Sequence, residues 1–133
     1  MITSLWTEAD LLEYAKNPVN KGKLDNYTIK HHETNRSCGD SLTVYLKIDK
    51  NNSVQDFSFE GDTAIVTTAA AAIFGESIIG ISTNEILQYT YQDIVRMLRV
   101  EVTSKRKLAA TLALLATRNA IHKLQDDKII DDF

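Results

Sequence analysis

The chain has 133 residues, of which 44% are hydrophobic and 25% charged, and it carries a formal net charge of −3. This length predicts one domain whose core needs no disulfide or metal to hold it together. The slight acidic excess, with one basic cluster at 105–107 that lacks aromatic neighbours, argues against nucleic-acid binding. The longest apolar run is too short for a bilayer, the N-terminus lacks a secretory pattern, and the single cysteine excludes an intrachain disulfide. We therefore expect a cytoplasmic protein.

The first half of the chain predicts one helix followed by strands. Apolar residues at helical spacing predict a helix at about 5–16, and Asn17-Pro18 ends it, because the residue before a proline is pushed out of the helical region. Strict alternation over 42–48 predicts a half-buried strand, and the turn residues 50–52 lead back into a second strand at 54–59. Residues 27–32 are the candidate for a third strand.

After Gly61 and Asp62 the pattern becomes helical. An alanine-rich segment predicts a closely packed helix at 64–74, although its threonine pair leaves the start open. Further helices are predicted at 82–88, which opens on a capping box of Ser82 and Glu85, at 91–98 and at 105–125. This order predicts an α+β fold, in which a three-stranded, mostly antiparallel sheet carries helices on one face. We expect a single domain over 1–133 with a frayed acidic tail at 126–133.

Five groups of residues follow one another along the chain: Asn17-Pro18 with Asn20 and Gly22; Ser37-Cys38-Gly39-Asp40; Phe59-Glu60-Gly61-Asp62; Gly80-Ile81-Ser82 with Asn84-Glu85 and Asp93-Ile94; and Ala109-Ala110-Thr111-Leu112-Ala113. In this order, from about residue 14 to residue 124, they resemble the motifs of the NifU/IscU-type iron–sulfur scaffold family. The resemblance implies a scaffold, not an enzyme, on which a cysteine desulfurase deposits sulfur and a nascent [2Fe–2S] cluster is built.

In this family three cysteines and the aspartate of Cys-Gly-Asp carry the chemistry, and the resemblance carries over only Cys38 and Asp40. The second and third cysteine positions fall on Ala64 and Ala109, and a histidine that some members place before the third falls on Leu108. Alanine supplies no ligand, whereas a two-iron cluster or a closed zinc site needs about four.

Two histidines precede Cys38 and are candidates for an extra ligand. His31 and His32 are adjacent in the sequence. If they lie on a strand, they point to opposite faces, so that at most one could turn toward Cys38.

Cys38 itself allows two interpretations. It is either a small apolar filler at the start of a strand or a partly exposed thiol that accepts persulfide sulfur, and Gly39 permits a tight turn in both cases. The sequence thus predicts a degenerate scaffold-like protein that docks to a cysteine desulfurase or another assembly protein without building a stable cluster itself. The alternative is that Cys38 and Asp40 bind a metal or persulfide, with iron, a [2Fe–2S] cluster or zinc shared across a homodimer. No catalytic constellation stands out, and neither nucleic acid nor a membrane is an expected partner.

Overall fold

The computed structural model of the chain describes residues 8–16, 18, 20–35, 39–98 and 107–125. Cys38 and the predicted acidic tail at 126–133 lie outside the described residues, as do the ends of two predicted helices at 5–7 and 105–106. The elements in chain order are α1 (Glu8–Lys16), β1 (Ile29–Thr34), β2 (Ser41–Ile48), β3 (Val54–Asp62), α2 (Ile65–Ser77), α3 (Thr83–Ile86), α4 (Tyr91–Leu98) and α5 (Lys107–Leu124).

The three strands form one antiparallel sheet in the order β1-β2-β3, as predicted. The alternation in β2 buries Leu42, Val44 and Leu46 completely, and helices α5 and α2 pack on this side of the sheet. The described residues form one N-terminal helix, three strands and four further helices, so the α+β prediction is confirmed.

Pairing between strands moves two of the predicted boundaries. The sequence places the first strand at 27–32, whereas β1 lies at Ile29–Thr34 because its register aligns its ends with Leu46 and Ser41 of β2. The strand predicted at 54–59 continues as β3 to Asp62, because Gly61 and Asp62 still pair with β2. Among the helix ends that lie in the described residues, the largest difference is the end of α2, which lies three residues beyond the predicted residue 74, and α4 has the predicted bounds.

Two of the sequence motifs, the one that contains Gly61 and the one that contains Asn20 and Gly22, stabilise the β3 side of the sheet. A Cβ on Gly61 would lie 2.2 Å from the backbone oxygen of Ser41, so that only glycine allows this close approach between β2 and β3. On the free edge of β3, Phe59 donates its N–H to the Asn20 oxygen, and its own oxygen accepts from Gly22. The Asn20 side chain donates a hydrogen bond of 3.1 Å to the Ala72 oxygen and so connects this segment to α2.

Small side chains determine how the two longest helices pack. The alanines at 69–72 of α2 are at most 2% exposed, and α5 buries Ala113, Ala116 and Ala120 in the same core. Because the distance between helix axes depends on the side chains at the contact, these alanines let α2 and α5 approach closely. In the part of the chain that the structure describes, no helix is long and apolar enough to cross a membrane.

Candidate functional site

The candidate site lies at the end of the sheet where β1 turns into β2. The Asn35 N–H donates to the Asp40 oxygen at 2.7 Å, and the Gly39 N–H donates to the Asn35 oxygen at 2.9 Å. Gly39 has a φ of +77°, the left-handed conformation that glycine adopts without steric cost, as expected for a tight turn. Because Ser41 pairs with Asp62, the end of β3 and the start of α2 lie at this same end of the sheet.

Asp40 is buried at the N-terminus of α2. Its Oδ1 accepts a hydrogen bond of 2.9 Å from the Ala64 N–H, and its Oδ2 accepts one from the Thr67 hydroxyl. Ala64 is the N-cap residue of α2 and has no capping side chain, and the first turn contains no acidic residue. Asp40 therefore supplies, from the β1–β2 hairpin, the negative charge and the acceptors that a helix N-terminus favours.

Hydroxyl groups complete this first turn of α2. The Thr68 hydroxyl donates to the Ala64 oxygen at 3.0 Å and lies 2.5 Å from the Thr63 hydroxyl. Sequence reasoning singled out Asp40 and Ala64 but missed the three threonines. The threonine pair in the predicted helix start was the available signal, because hydroxyl side chains are common near helix N-termini.

The direction of α5 places Ala109 toward the same end of the molecule. Asn119 donates to Glu33 Oε1 at 2.8 Å, and Lys123 Nζ lies 3.5 Å from the Lys30 oxygen, so α5 runs antiparallel to β1. Ala109 precedes Asn119 by ten residues of helix, a rise of about 15 Å toward the hairpin end. Among the described residues, two of the predicted site positions are in direct contact, because the Ala64 N–H donates to Asp40 Oδ1.

The two histidines lie on opposite faces of β1, as their adjacency predicts. His31 Nε2 lies 2.8 Å from Glu33 Oε1 on the side that faces α5, and His32 Nδ1 lies 3.0 Å from the Thr43 hydroxyl on the other side. Both rings are therefore engaged along the strand. Within the described ranges, no group of three or more His, Cys, Asp and Glu residues is arranged to hold a metal ion.

The open face of the sheet carries a separate polar contact. The Tyr45 hydroxyl donates to Glu60 Oε1 at 2.6 Å, and this hydrogen bond, with burial, raises the pKa of Tyr45 to about 12. The Tyr27 ring packs edge-on against Tyr45 with centroids 5.4 Å apart. This contact lies away from the candidate site, because Tyr45 points to the face opposite Val44 and Leu46.

Comparison with known proteins identifies the family. The family model described as the NifU-like N-terminal domain matches residues 7–130. The chain belongs to this NifU-like family. It is 36% identical over 104 residues to the iron–sulfur cluster assembly scaffold protein IscU of Thermotoga maritima, covering 78% of this chain and 71% of that protein. It is 27% identical over 111 residues to an assembly scaffold protein IscU of Archaeoglobus fulgidus, covering 84% and 71%.

Solved structures share the fold at lower sequence identity. A NifU-like N-terminal protein from Brucella abortus superposes with a TM-score of 0.71 at 20% identity, covering 89% of this chain and 93% of that chain. A candidate scaffold protein of the SUF system from Fervidobacterium islandicum superposes with a TM-score of 0.74 at 21% identity, covering 87% and 96%. The NifU-like fold predicted from the ordered motifs is thus confirmed. The ligand roles of Cys38, Asp40, His31 and His32, and the replacement of ligands at Ala64 and Ala109, stay predictions.

Proposed function

We propose that this NifU-like chain is an iron–sulfur cluster assembly scaffold-like protein that docks to a cysteine desulfurase or another assembly protein and does not build a stable cluster by itself. The observation that carries the proposal is its ligand content, one cysteine in 133 residues. The relatives from Thermotoga and Archaeoglobus are cluster assembly scaffolds, and the match over residues 7–130 supports the same general role here.

The chemistry of the retained residues supports the second half of the proposal. A two-iron cluster takes about four ligands, most of them thiolates, and Ala64 and Ala109 offer methyl groups at two of the predicted positions. The Asp40 carboxylate already accepts hydrogen bonds from Ala64 and Thr67. One chain therefore supplies one thiolate, that of Cys38. One thiolate is too few for a closed site.

Exposed apolar side chains support the docking part. Ile65 is 53% exposed and Leu108 47% exposed, and each stands next to one of the two alanines at the predicted ligand positions. An apolar side chain exposed beside a candidate site is available to pack into the apolar core of an interface with a partner protein. We therefore place the docking face at the N-termini of α2 and α5.

Binding to purified cysteine desulfurase, measured by biolayer interferometry, tests the docking part. We expect Ile65→Glu to weaken binding by about fivefold or more, because it places a charge in an apolar contact. Ile79→Glu is the matched control, since Ile79 is 47% exposed just after the opposite end of α2. An absence of binding by the unaltered chain to the desulfurase and to other assembly components would contradict docking.

Anaerobic reconstitution with ferric iron and sulfide tests the cluster part. The unaltered chain should give no stable visible absorption, whereas Ala64→Cys/Ala109→Cys should give that of a bound cluster. The alternative function, in which Cys38 and Asp40 bind cargo, predicts a different result. It requires either a chromophore or metal held by two copies of the unaltered chain, or the mass increase of one sulfur atom on Cys38 after incubation with desulfurase and cysteine.

A further inference from the structure

Asp40 differs from a free ligand because both of its carboxylate oxygens are in use inside the fold. Oδ1 binds the Ala64 N–H and Oδ2 binds the Thr67 hydroxyl, and the residue is 6% exposed. These bonds join two separate elements, the end of the β1–β2 hairpin and the first turn of α2. A metal ion that recruited this carboxylate would compete with both bonds.

The competition is unfavourable to the metal for two reasons. First, moving the carboxylate would leave the Ala64 N–H and the 1% exposed Thr67 without the acceptor they now have. Second, the positive end of the α2 dipole would lose the only carboxylate described as bonded to its first turn, since that turn has no acidic residue of its own. Thr67 is therefore a side chain that adds to the backbone in holding Asp40.

We propose that the bond from Asp40 to the first turn of α2 is an autoinhibitory contact, which withholds this carboxylate from metal or cluster cargo, and that Thr67 is the residue that sets it. The inference goes beyond the proposed function because it concerns the isolated chain and holds whether or not a partner docks. It implies that two added cysteines would bind metal without help from Asp40 until Thr67 is replaced.

The test measures Zn²⁺ affinity against a chromophoric chelator in the Ala64→Cys/Ala109→Cys chain, which has three thiols together with Cys38. Asp40→Ala is introduced into this chain with Thr67 intact and again with Thr67→Val. With Thr67 intact, we expect Asp40→Ala to change the dissociation constant by about threefold or less. In the Thr67→Val background it should weaken binding by about tenfold or more, because the released carboxylate has become a ligand.

The effect of Asp40→Ala in the two backgrounds decides the outcome. An effect of the same size in both, whether large or absent, overturns the proposal. Thr68→Val is the matched control, because Thr68 lies in the same turn, is 4% exposed and bonds to Thr63 and Ala64. In the Thr68→Val background, Asp40→Ala should again change the dissociation constant by about threefold or less. A tenfold change in that background would also count against a specific role of Thr67.

A second measurement does not depend on the added cysteines or on metal. In the unaltered chain, hydrogen exchange of the Ala64 amide reports on its bond to Asp40. We expect Asp40→Ala and Thr67→Val each to accelerate this exchange by about tenfold, and Thr68→Val to accelerate it less. Exchange at Ala64 that is unaffected by Asp40→Ala would show that no such contact exists. Loss of desulfurase binding in the interferometry experiment would leave both results standing, so the two proposals fail separately.

Discussion

Two carboxylates on the helix-covered side of the sheet, Asp40 and Glu33, are held in different ways. Asp40 is fixed by a backbone N–H and a hydroxyl at the N-terminus of α2. Glu33 is fixed by two side chains, His31 on its own strand and Asn119 on α5, both bonded to Oε1 at 2.8 Å. Substitution to alanine leaves the backbone donor in place but removes either partner of Glu33, so the two regions should respond differently to substitution.

Asp40→Ala should give the largest effect. It leaves the Ala64 N–H and the buried Thr67 hydroxyl without their acceptor, and we expect a loss of about 2–3 kcal/mol in the free energy of unfolding. Asp40→Asn keeps one carbonyl acceptor but removes the charge, so it should lose about 1 kcal/mol. Urea denaturation measures both, and an Asp40→Asn variant as stable as the unaltered chain would contradict a role of the charge.

Asn119→Ala should come second, with a loss of about 1–2 kcal/mol, because Asn119 is completely buried and its amide donates to Glu33. A double-mutant cycle with Glu33→Ala isolates the bond, and we expect a coupling energy of about 0.5–1.5 kcal/mol. Additive losses would show that the bond between Asn119 and Glu33 does not contribute to stability.

Substitution of either histidine of β1 should cost less stability than substitution of Asp40 or Asn119. His31→Ala removes the second partner of the half-buried Glu33 and should cost about 0.5–1 kcal/mol. His32→Ala removes an exposed contact to Thr43 and should cost less than about 0.5 kcal/mol. Unfolding of both variants at one pH measures the difference. A larger loss of stability for His32→Ala than for His31→Ala would contradict the placement of His31 on the side that faces α5.

A third carboxylate, Glu60, accepts a hydrogen bond from the Tyr45 hydroxyl. The effect of this contact on stability is visible only at high pH. The folded-state pKa of Tyr45 is raised to about 12 from an unfolded value of 10.0, so the contribution of this contact is fully present below pH 10. It is lost as the pH rises from 10 to 12, because the unfolded chain releases the proton first. Glu60→Gln should lower the pKa of Tyr45, as measured by ultraviolet titration of the phenolate, and Tyr45→Phe should flatten stability over this range. An unchanged titration in Glu60→Gln would contradict the assigned cause.

Much of the fold follows from local pattern. The alternation in β2 predicts the buried face of Leu42, Val44 and Leu46, and the bounds of α4 follow from its own residues. The ends of β1 and β3 could not be predicted, because pairing with β2 decides how far each strand extends. The sequence leaves the start of α2 open for the same kind of reason, since its capping carboxylate comes from another element.

The sequence by itself determined the NifU-like family, the α+β order and the ligand content, because motif order and residue identity do not depend on distances. It also placed Cys38 as the single thiol of the chain, beside a glycine that permits a tight turn. Only the tertiary structure decided what surrounds Asp40. The hydrogen bonds that engage this carboxylate join residues 24 and 27 positions apart in the chain. No local pattern reports such a contact, because folding of the hairpin against α2 creates it.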